Sequence, residues 1–249
     1  MSEEEMKYKI YVNSRDLVTP GDILAEGNVE VLNYPYVIKE GNYVVSTVVG
    51  LVDIQNNNKV GVIPLEGFYY PKEGDMVIGI VEEIGVTHWE VNIRAPYKGV
   101  LTASDFLGRP FNPAQEDLSK YLNVGDVIIA KIESFDRTRD PLLTVKGKDL
   151  GKVTEGTIIE VDPSRVPRII GKKKSMLNVL TSETGCNVVV AQNGRVLIKC
   201  PSEELEAILI LAIKKIEREA HTSGLTERIR EFILEQKILR GVIKSDKVL

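Results

Sequence analysis

The sequence predicts a multidomain α+β protein, in which two β-rich parts are followed by a mixed C-terminal part. Short apolar stretches separated by glycine-containing turns fill the chain up to about Gly147, which is typical of compact β-domains. Beyond Ser202 the apolar residues recur instead with the period of an amphipathic helix. The 249 residues are enough for two or three small domains, each with its own core.

The N-terminal part, residues 1–68, is rich in β-forming and turn residues. Pro20-Gly21-Asp22 precedes an apolar stretch at Ile23, and Gly41-Asn42 precedes Tyr43-Val44-Val45. Glycine tolerates positive φ and aspartate can bond its own turn, so each pattern indicates a turn that leads into a strand. We expect a small β-domain here.

Residues 69–150 predict a five-stranded OB-type barrel. The stretch from Trp89 to Ile93 alternates apolar and polar residues with period two, as a half-buried strand does. A long irregular insertion, Ser104 to Asn123, separates the third strand from the fourth. This order is typical of OB-type barrels, which bind oligonucleotides on one face. The predicted strands are Met76–Val81, Trp89–Ile93, Lys98–Leu101, Val127–Ile132 and Leu142–Val145.

Residues 151–249 predict a KH domain with an extra C-terminal helix. Asn193-Gly194 lies between two apolar stretches and indicates a hairpin, and Ser202 is a good N-cap for the helix that follows. The order strand, helical turn, lysine-rich loop, helix, strand, turn, strand, helix is that of a KH domain. The predicted strands are 157–161, 187–191 and 195–199, and a helical turn is predicted at 163–170. The predicted helices are 175–184, one that begins at the N-cap Ser202, and 226–240.

One stretch in this part, Ile169 to Leu177, combines a glycine with three consecutive lysines before a helix. Gly171 lets another chain approach the backbone closely. The N-terminus of the helix attracts anions, and Lys172, Lys173 and Lys174 add formal charge. Together they favour a phosphodiester backbone as ligand. The alternative is a solvated basic loop, since charge runs commonly lie on the surface.

The charge distribution also singles out this region. The whole chain has a net charge of -4, yet between Ser164 and Cys200 seven basic side chains face one acidic side chain, Glu183. The segment therefore carries +6, which leaves -10 for the rest of the chain. A basic region on an acidic body indicates a polyanionic ligand. The seven residues are Arg165, Arg168, Lys172, Lys173, Lys174, Arg195 and Lys199.

The two cysteines, Cys186 and Cys200, predict neither a structural zinc site nor a disulfide framework, and we expect reduced thiols. Residues 1–5, Met-Ser-Glu-Glu-Glu, lack the basic and apolar regions of a signal peptide. The longest strongly apolar run, Ala207 to Ile213, is too short to span a bilayer. We therefore expect a soluble cytoplasmic protein without membrane contacts.

The stretch Ile169 to Leu177 resembles the KH signature, in which apolar-Ile-Gly-x-x-Gly leads into a helix. In that family the loop clamps the backbone of about four nucleotides, and bases lie in an adjacent apolar groove. Lys174 stands where the signature has its second glycine, and a lysine at positive φ costs about 1–2 kcal/mol. We therefore expect a loop of another shape with a more electrostatic grip. The resemblance implies RNA contacts by Arg168, Gly171, Lys172, Lys173 and Lys174, and the alternative is a KH fold used only for packing.

Residues 69–150 resemble the S-one domain, an RNA-binding module of the OB type. The resemblance runs through Gly74-Asp75-Met76, Lys98-Gly99-Val100-Leu101 and Val124-Gly125-Asp126. It implies that Trp89 lies near a position where such modules stack a base, a contact worth ~1–3 kcal/mol. The alternative is a place in the barrel core. The candidate cations that would guide an RNA backbone, or else are isolated surface charges, are Arg94, Lys98, Arg137 and Arg139.

The order β-domain, S-one domain and KH domain resembles the family of RNA-binding cap subunits of the archaeal exosome, of the KH-bearing, ribosomal-RNA-processing type. The resemblance implies a non-catalytic subunit that sits on a ring of RNase-PH-like subunits, with its N-terminal domain docked on the ring. It also implies single-stranded RNA as ligand, threaded toward phosphorolytic sites in the ring. Other cap subunits of the same complex are further expected partners.

Other functional classes are less consistent with the sequence. Neither GxxxxGK[ST] nor GxGxxG occurs, and His88 and His221 are far apart, so we expect neither an enzyme nor a cofactor. NusA-like transcription factors also place an S-one domain before KH, but they have two KH domains and this chain has one such loop. A purely architectural ring subunit with little RNA contact is a further alternative.

Overall fold

The computed structural model describes residues 8–32, 35–56, 58–220, 222 and 224–242. The expectation about residues 1–5 and the histidine at 221 therefore lie outside the described residues. The chain divides into two compact units, Met1–Gly67 and Phe68–Leu249.

The first unit is a β-domain built from two four-stranded sheets, with strand orders β1-β3-β6-β5 and β2-β7-β8-β4. Both sheets contribute to one core of small aliphatic side chains, among them Leu24, Val44, Val52 and Val62. Alternation of buried and exposed residues along the strands produces this arrangement, because successive side chains point to opposite faces. The strands are β1 (Tyr8–Ile10), β2 (Leu17–Val18), β3 (Ile23–Gly27), β4 (Glu30–Val31), β5 (Val37–Glu40), β6 (Tyr43–Ser46), β7 (Gly50–Gln55) and β8 (Lys59–Pro64).

The second unit begins with a closed five-stranded barrel, as the sequence predicts. The barrel closes because β13 pairs with both β11 and β12. A short helix and a 3-10 turn, Leu118–Lys120, fill the insertion between the third and fourth strands. The elements are β9 (Met76–Ile84), β10 (His88–Asn92), β11 (Lys98–Thr102), α1 (Ala103–Leu107), β12 (Val127–Ser134) and β13 (Leu142–Thr144).

A sixth strand, β14 (Gly151–Val153), pairs with β12 at the edge of the barrel sheet. It lies on the KH side of the domain boundary predicted between residues 150 and 151. The proposed domains 1–68, 69–150 and 151–249 thus stay a prediction, and the chain that links barrel and KH domain is itself part of the barrel sheet.

The KH domain follows in the predicted order and packs its helices on a three-stranded sheet of order β15-β17-β16. Its core joins helices and sheet through aliphatic side chains such as Ile169, Leu180, Ile198, Ile213 and Ile233. The elements are β15 (Thr157–Glu160), a 3-10 turn (Pro163–Arg165), α2 (Val166–Ile170), α3 (Ser175–Thr184), β16 (Asn187–Val190), β17 (Arg195–Lys199), α4 (Glu203–Arg218) and the extra helix α5 (Leu225–Leu239).

The helix ends agree with the local chemistry of the sequence. The Ser202 hydroxyl accepts a hydrogen bond from the backbone nitrogen of Leu205 and caps α4, as predicted. Helix α3 ends at Gly185, whose φ of 68° is left-handed, and α5 ends just before Gly241, whose φ is 71°. No helix within the described ranges is both long and apolar enough to cross a bilayer.

The expectation of two reduced thiols is wrong, because Cys186 and Cys200 form a disulfide. Cys186 directly precedes β16 and Cys200 directly follows β17, and the neighbouring pair Asn187 and Lys199 stand opposite each other in the ladder. The Cα atoms of the two cysteines are 4.3 Å apart. The disulfide therefore closes the open end of the hairpin, a proximity that depends on strand register rather than on sequence spacing.

Candidate nucleic-acid interface

The lysine loop, residues 171–174, joins α2 to α3 through backbone conformations that side chains rarely adopt. Gly171 has φ 72° and ψ 166°, and a Cβ there would lie 2.6 Å from the backbone nitrogen of Met176. Only glycine fits this position. Lys173 and Lys174 have φ of 52° and 64°, both in the left-handed region. The loop thus keeps a left-handed residue where the KH signature has its second glycine, contrary to the expectation of another shape.

Helix α3 starts directly after the loop and has no side-chain cap at its N-terminus. Its first backbone N–H groups consequently face the loop, where they add to the positive potential of the lysines. The side chains of Arg168, Lys172, Lys173 and Lys174 are exposed. None of these four makes an ion pair with another residue that the structure describes. Among the described residues, the loop therefore presents cations that no carboxylate holds in an ion pair.

Two of the seven basic residues counted in this region do not belong to that surface. The Arg195 side chain is 4% exposed and bonds into the barrel, as described below. Lys199 is ion-paired with Glu155. The basic surface that remains consists of Arg165, Arg168 and the three lysines.

Trp89 occupies the barrel core and is completely buried. Its indole Nε1 donates a hydrogen bond to the carbonyl of Leu122 at 3.2 Å, and its ring packs edge-on against Phe106. The ring is therefore not available to stack on a base, because both its faces lie in the core. The structure assigns Trp89 the core position that the sequence left open.

Arg94 also faces the protein rather than a ligand. Its guanidinium donates to the carbonyls of Val161 and Gly194 in the KH domain, the second at 3.2 Å. Its Nε lies 3.6 Å from a carboxylate oxygen of Glu160. Arg94 therefore joins barrel and KH domain, and its guanidinium is engaged within the protein and not by RNA.

The other cations of the barrel lie among carboxylates. Lys98 pairs with Glu90 at 2.6 Å, and this hydrogen bond raises the pKa of Lys98 and lowers that of Glu90. Arg139 borders a cavity of about 590 Å³ that also exposes the carboxylates of Asp136 and Asp140. Arg137 is exposed at a backbone position with φ 73°. This part of the surface is less basic than the lysine loop.

The hairpin between β16 and β17 makes a polar joint with the barrel that the sequence did not predict. Asn193 is completely buried, and its Nδ2 donates to the carbonyls of Ile78 and Ile93 at 2.8 and 2.9 Å. Arg195 donates to the carbonyl of Asn92 at 2.6 Å and to its side-chain oxygen at 3.0 Å. We call Asn193, Arg195 and Arg94 the joint residues. They connect β9 and β10 of the barrel with the hairpin of the KH domain.

A groove of about 880 Å³ runs between the two domains beside the lysine loop. Ile170, Leu177 and Val188 of the KH domain line one wall, and Leu150 and Val153 of the barrel line the other. Lys174 stands at its rim. Its flanking strands β14 and β16 are the outermost strands of their sheets. The groove is therefore shared by both domains, with apolar side chains on each wall and charged side chains among its lining, including Asp149, Glu155 and Lys174.

Three aromatic side chains cluster on the barrel although they are far apart in sequence. Tyr70, Tyr97 and Phe135 are half-buried and pack edge to face, with ring centroids 4.8 to 5.8 Å apart. The sequence shows only isolated aromatics here, because barrel closure brings them together. Among the residues with described positions, no three His, Cys, Asp or Glu side chains are close enough to hold a metal ion.

Profiles of known families match two parts of the chain. The family described as the N-terminal domain of exosome RNA-binding protein RRP4 matches residues 15–66, in the first β-unit. The KH domain family matches residues 156–204, which include the lysine loop and the hairpin. The fold and its basic loop thus define a KH protein with an OB-type barrel in front of the KH domain.

Relatives extend this similarity over nearly the whole chain. The exosome complex component Rrp4 of Ignisphaera aggregans is 50% identical over 98% of this chain and 99% of its own. Rrp4 of Saccharolobus solfataricus is 53% identical over 92% of this chain and 91% of its own. A crystal structure of an exosome complex RNA-binding protein shares 52% identity and a TM-score of 0.67, covering 70% of this chain and 99% of that one. The chain belongs to the family of the exosome complex component Rrp4.

Proposed function

We propose that this chain is a non-catalytic, RNA-binding cap subunit of an archaeal exosome. It captures single-stranded RNA and guides it to RNase-PH-like ring subunits, which degrade or process the 3′ end by phosphorolysis. The observation that most supports RNA capture is the lysine loop of the KH domain, whose exposed cations form no ion pair with a described residue. The chain shares about half of its residues, over nearly its full length, with proteins named exosome complex components. This similarity supports its proposed membership of an exosome.

The primary RNA contacts in this proposal are Arg168, Gly171 and the three loop lysines. Gly171 allows close approach of the sugar-phosphate backbone, and the cations neutralise its charge, which releases bound counterions. Lys98, Arg137 and Arg139 are secondary contacts, weaker because carboxylates surround Lys98 and Arg139.

A matched pair of triple variants tests the RNA contacts. Replacing Lys172, Lys173 and Lys174 by Ala should weaken the binding of a short single-stranded RNA by about tenfold or more at low salt. A control that removes three exposed lysines elsewhere, Lys39, Lys120 and Lys148, lowers the net charge equally and should bind almost as the unmodified chain does. Equal affinities of the two variants would remove the loop from the mechanism. Absence of RNA binding by the unmodified chain would favour an architectural subunit.

The N-terminal unit is the part proposed to dock on the ring. Leu17, Leu51 and Ile63 stand side by side in register across β2, β7 and β8. Leu17 is 63% exposed and Ile63 37%, so this row forms an apolar strip on the surface of the unit. Strips of this kind mark protein interfaces. A cytoplasmic site of action and contacts with other cap subunits belong to the same proposal.

Copurification tests the docking. The unmodified chain should copurify with RNase-PH-like subunits, and Leu17→Glu should abolish this without unfolding the chain. The matched change Leu239→Glu, at a side chain 77% exposed in the second unit, should have no effect. Failure of the unmodified chain to bind the ring subunits would contradict the exosome assignment, and equal behaviour of the two variants would exclude the strip.

A further inference from the structure

We propose that Asn193 and Arg195 are positioning residues for RNA, which hold the KH hairpin on the barrel and thereby set the width of the groove between β14 and β16. A base next to the lysine loop is then held between two domains rather than by the KH domain alone. This inference rests on the proposed function and adds to it the residues that shape the site.

The tip of the hairpin is hydrogen-bonded to strand β9 of the barrel. The side-chain amide of Asn193 bonds both the N–H and the C=O of Ile78, at 3.3 and 2.8 Å. Arg195 donates to the same carbonyl at 3.2 Å and to Asn92. Gly194, between them, has φ 76°, and a Cβ there would lie 2.4 Å from the carbonyl oxygen of Val161. The tip is thus fixed on the barrel side and on the KH side.

The joint is continuous with the groove. Met76 and Gln192 line the groove. Gln192 directly precedes Asn193 in the hairpin, and Met76 lies two residues before Ile78 on β9. Their backbones are bonded, with the Gln192 nitrogen 2.9 Å from the Met76 carbonyl, and the Gln192 side chain accepts from the Met76 nitrogen at 3.0 Å. A shift of the hairpin would therefore move one wall of the groove against the other.

The joint is made by polar side chains. A buried amide and a buried guanidinium are costly to desolvate and stabilise a structure less than apolar packing of the same volume can. Their hydrogen bonds are directional, so they fix one relative position of two surfaces that apolar contacts alone would fix less tightly. Apolar contacts between the domains are present as well, through Ile78, Ile129, Ala191 and Leu197. The polar residues fix the position of the hairpin along the barrel strands, in addition to that packing.

Asn193 and Arg195 cannot contact RNA themselves. Asn193 is completely buried, and the guanidinium of Arg195 is hydrogen-bonded to Ile78, Asn92 and Glu160. Any effect of these two residues on RNA must therefore pass through the groove. This separates their role from that of the lysines, which act on phosphates directly.

The test compares a short single-stranded RNA of mixed sequence with a base-free ribose-phosphate oligomer of the same length, on the full-length chain. The unmodified chain should prefer the RNA, because bases enter the groove. Asn193→Ala and Arg195→Lys should each reduce this preference about tenfold, which corresponds to part of the stacking and burial of one base. Their affinity for the base-free oligomer, and its dependence on salt, should stay as in the unmodified chain.

Two controls keep the result interpretable. Ile229→Val removes one methylene from the core on α5, away from the joint, and controls for a general loss of stability. Arg94→Met weakens the joint from the barrel side and should act as Asn193→Ala does, so that misfolding of one variant does not decide the outcome.

The outcomes distinguish the positioning role of the joint from the proposed RNA capture itself. An unchanged preference in Asn193→Ala and Arg94→Met, or an equal loss in Ile229→Val, would overturn the positioning role while leaving RNA capture intact. A chain that binds neither oligomer would overturn the proposed function itself. A loss of salt dependence in the joint variants would also contradict the inference, since it would show that the joint acts on the phosphate contacts.

Discussion

The side-chain amide of Asn193 pairs with both backbone groups of Ile78, as a neighbouring strand would. Its Nδ2 donates to the Ile78 carbonyl at 2.8 Å, and its Oδ1 accepts from the Ile78 nitrogen at 3.3 Å. One residue of the KH hairpin therefore satisfies buried backbone groups of the barrel. Barrel and KH domain consequently depend on each other for hydrogen bonds, in addition to the apolar side chains that they share.

Asn193→Ala should lower the free energy of unfolding by about 1–3 kcal/mol, because it leaves both backbone groups of Ile78 buried with fewer partners. Urea denaturation followed by circular dichroism measures this. Asn123→Ala, an exposed asparagine of the barrel, is the matched control and should change stability little. Equal stability of the two variants would contradict the role given to the joint.

The disulfide between Cys186 and Cys200 should stabilise the KH domain by about 3 kcal/mol, since it closes a short loop in the unfolded chain. Cys186→Ser should therefore melt at a lower temperature than the unmodified chain under oxidising conditions. With a strong reductant the two should melt together. A difference that persists in reductant would show that the cysteine acts through packing rather than through the bond.

Asp105 connects α1 with the end of β13 and predicts a dependence of stability on pH. Burial would raise its pKa, but hydrogen bonds from Lys146, the Val145 backbone and Thr144 outweigh burial and lower the pKa below its ordinary value of 3.8. The ionised form is thus favoured in the folded state. Its stabilisation is present above pH 3.8 and is lost as the pH falls through the lower folded pKa.

Asp105→Asn should accordingly cost about 1–3 kcal/mol at neutral pH, where hydrogen bonds to the charged carboxylate are lost. The cost should shrink in acid, below the ordinary pKa. Chemical denaturation across that range measures both. A cost that is independent of pH would indicate that shape rather than charge matters at this position.

Lys174→Gly should stabilise the chain by about 0.5–1 kcal/mol, since glycine adopts positive φ without the steric cost that lysine pays, although it loses more entropy on folding. The same change should weaken RNA binding by removing one cation. Lys172→Gly is the control, because Lys172 is not among the residues with positive φ, and it should destabilise instead. Thermal melting of both variants distinguishes them.

The sequence predicts most of the fold because its local patterns are consistent with the tertiary structure. Helix α3 spans the predicted residues, Ser175–Thr184, and α5 lies within one residue of its predicted start and end. Ser202 caps α4 as its type predicts. The strands of the barrel follow from the alternation around Trp89 and from glycine turns. These features depend on residues close together in the chain.

The errors concern contacts between residues far apart in the chain. Cys186 and Cys200 meet through strand register, and Arg94 and Arg195 meet carbonyls of another domain. A count of charges cannot separate a buried arginine from an exposed lysine, so the +6 counted between Ser164 and Cys200 includes the buried Arg195. In the same way, the sequence does not distinguish a tryptophan of the barrel core, such as Trp89, from an exposed tryptophan that stacks on a base. The lysine loop is visible in the sequence because its glycine and three lysines are consecutive residues.

The measurement that tests the central claim most directly is the salt dependence of RNA affinity for the unmodified chain and for the variant with Lys172, Lys173 and Lys174 replaced by Ala. If the three lysines contact phosphates, the slope of log affinity against log salt should become shallower by about 2, at roughly 0.7 per phosphate contact on a single strand. The affinities of the two chains should converge at high salt. Parallel slopes would contradict the account, because they would show that the loop takes no part in holding the RNA backbone.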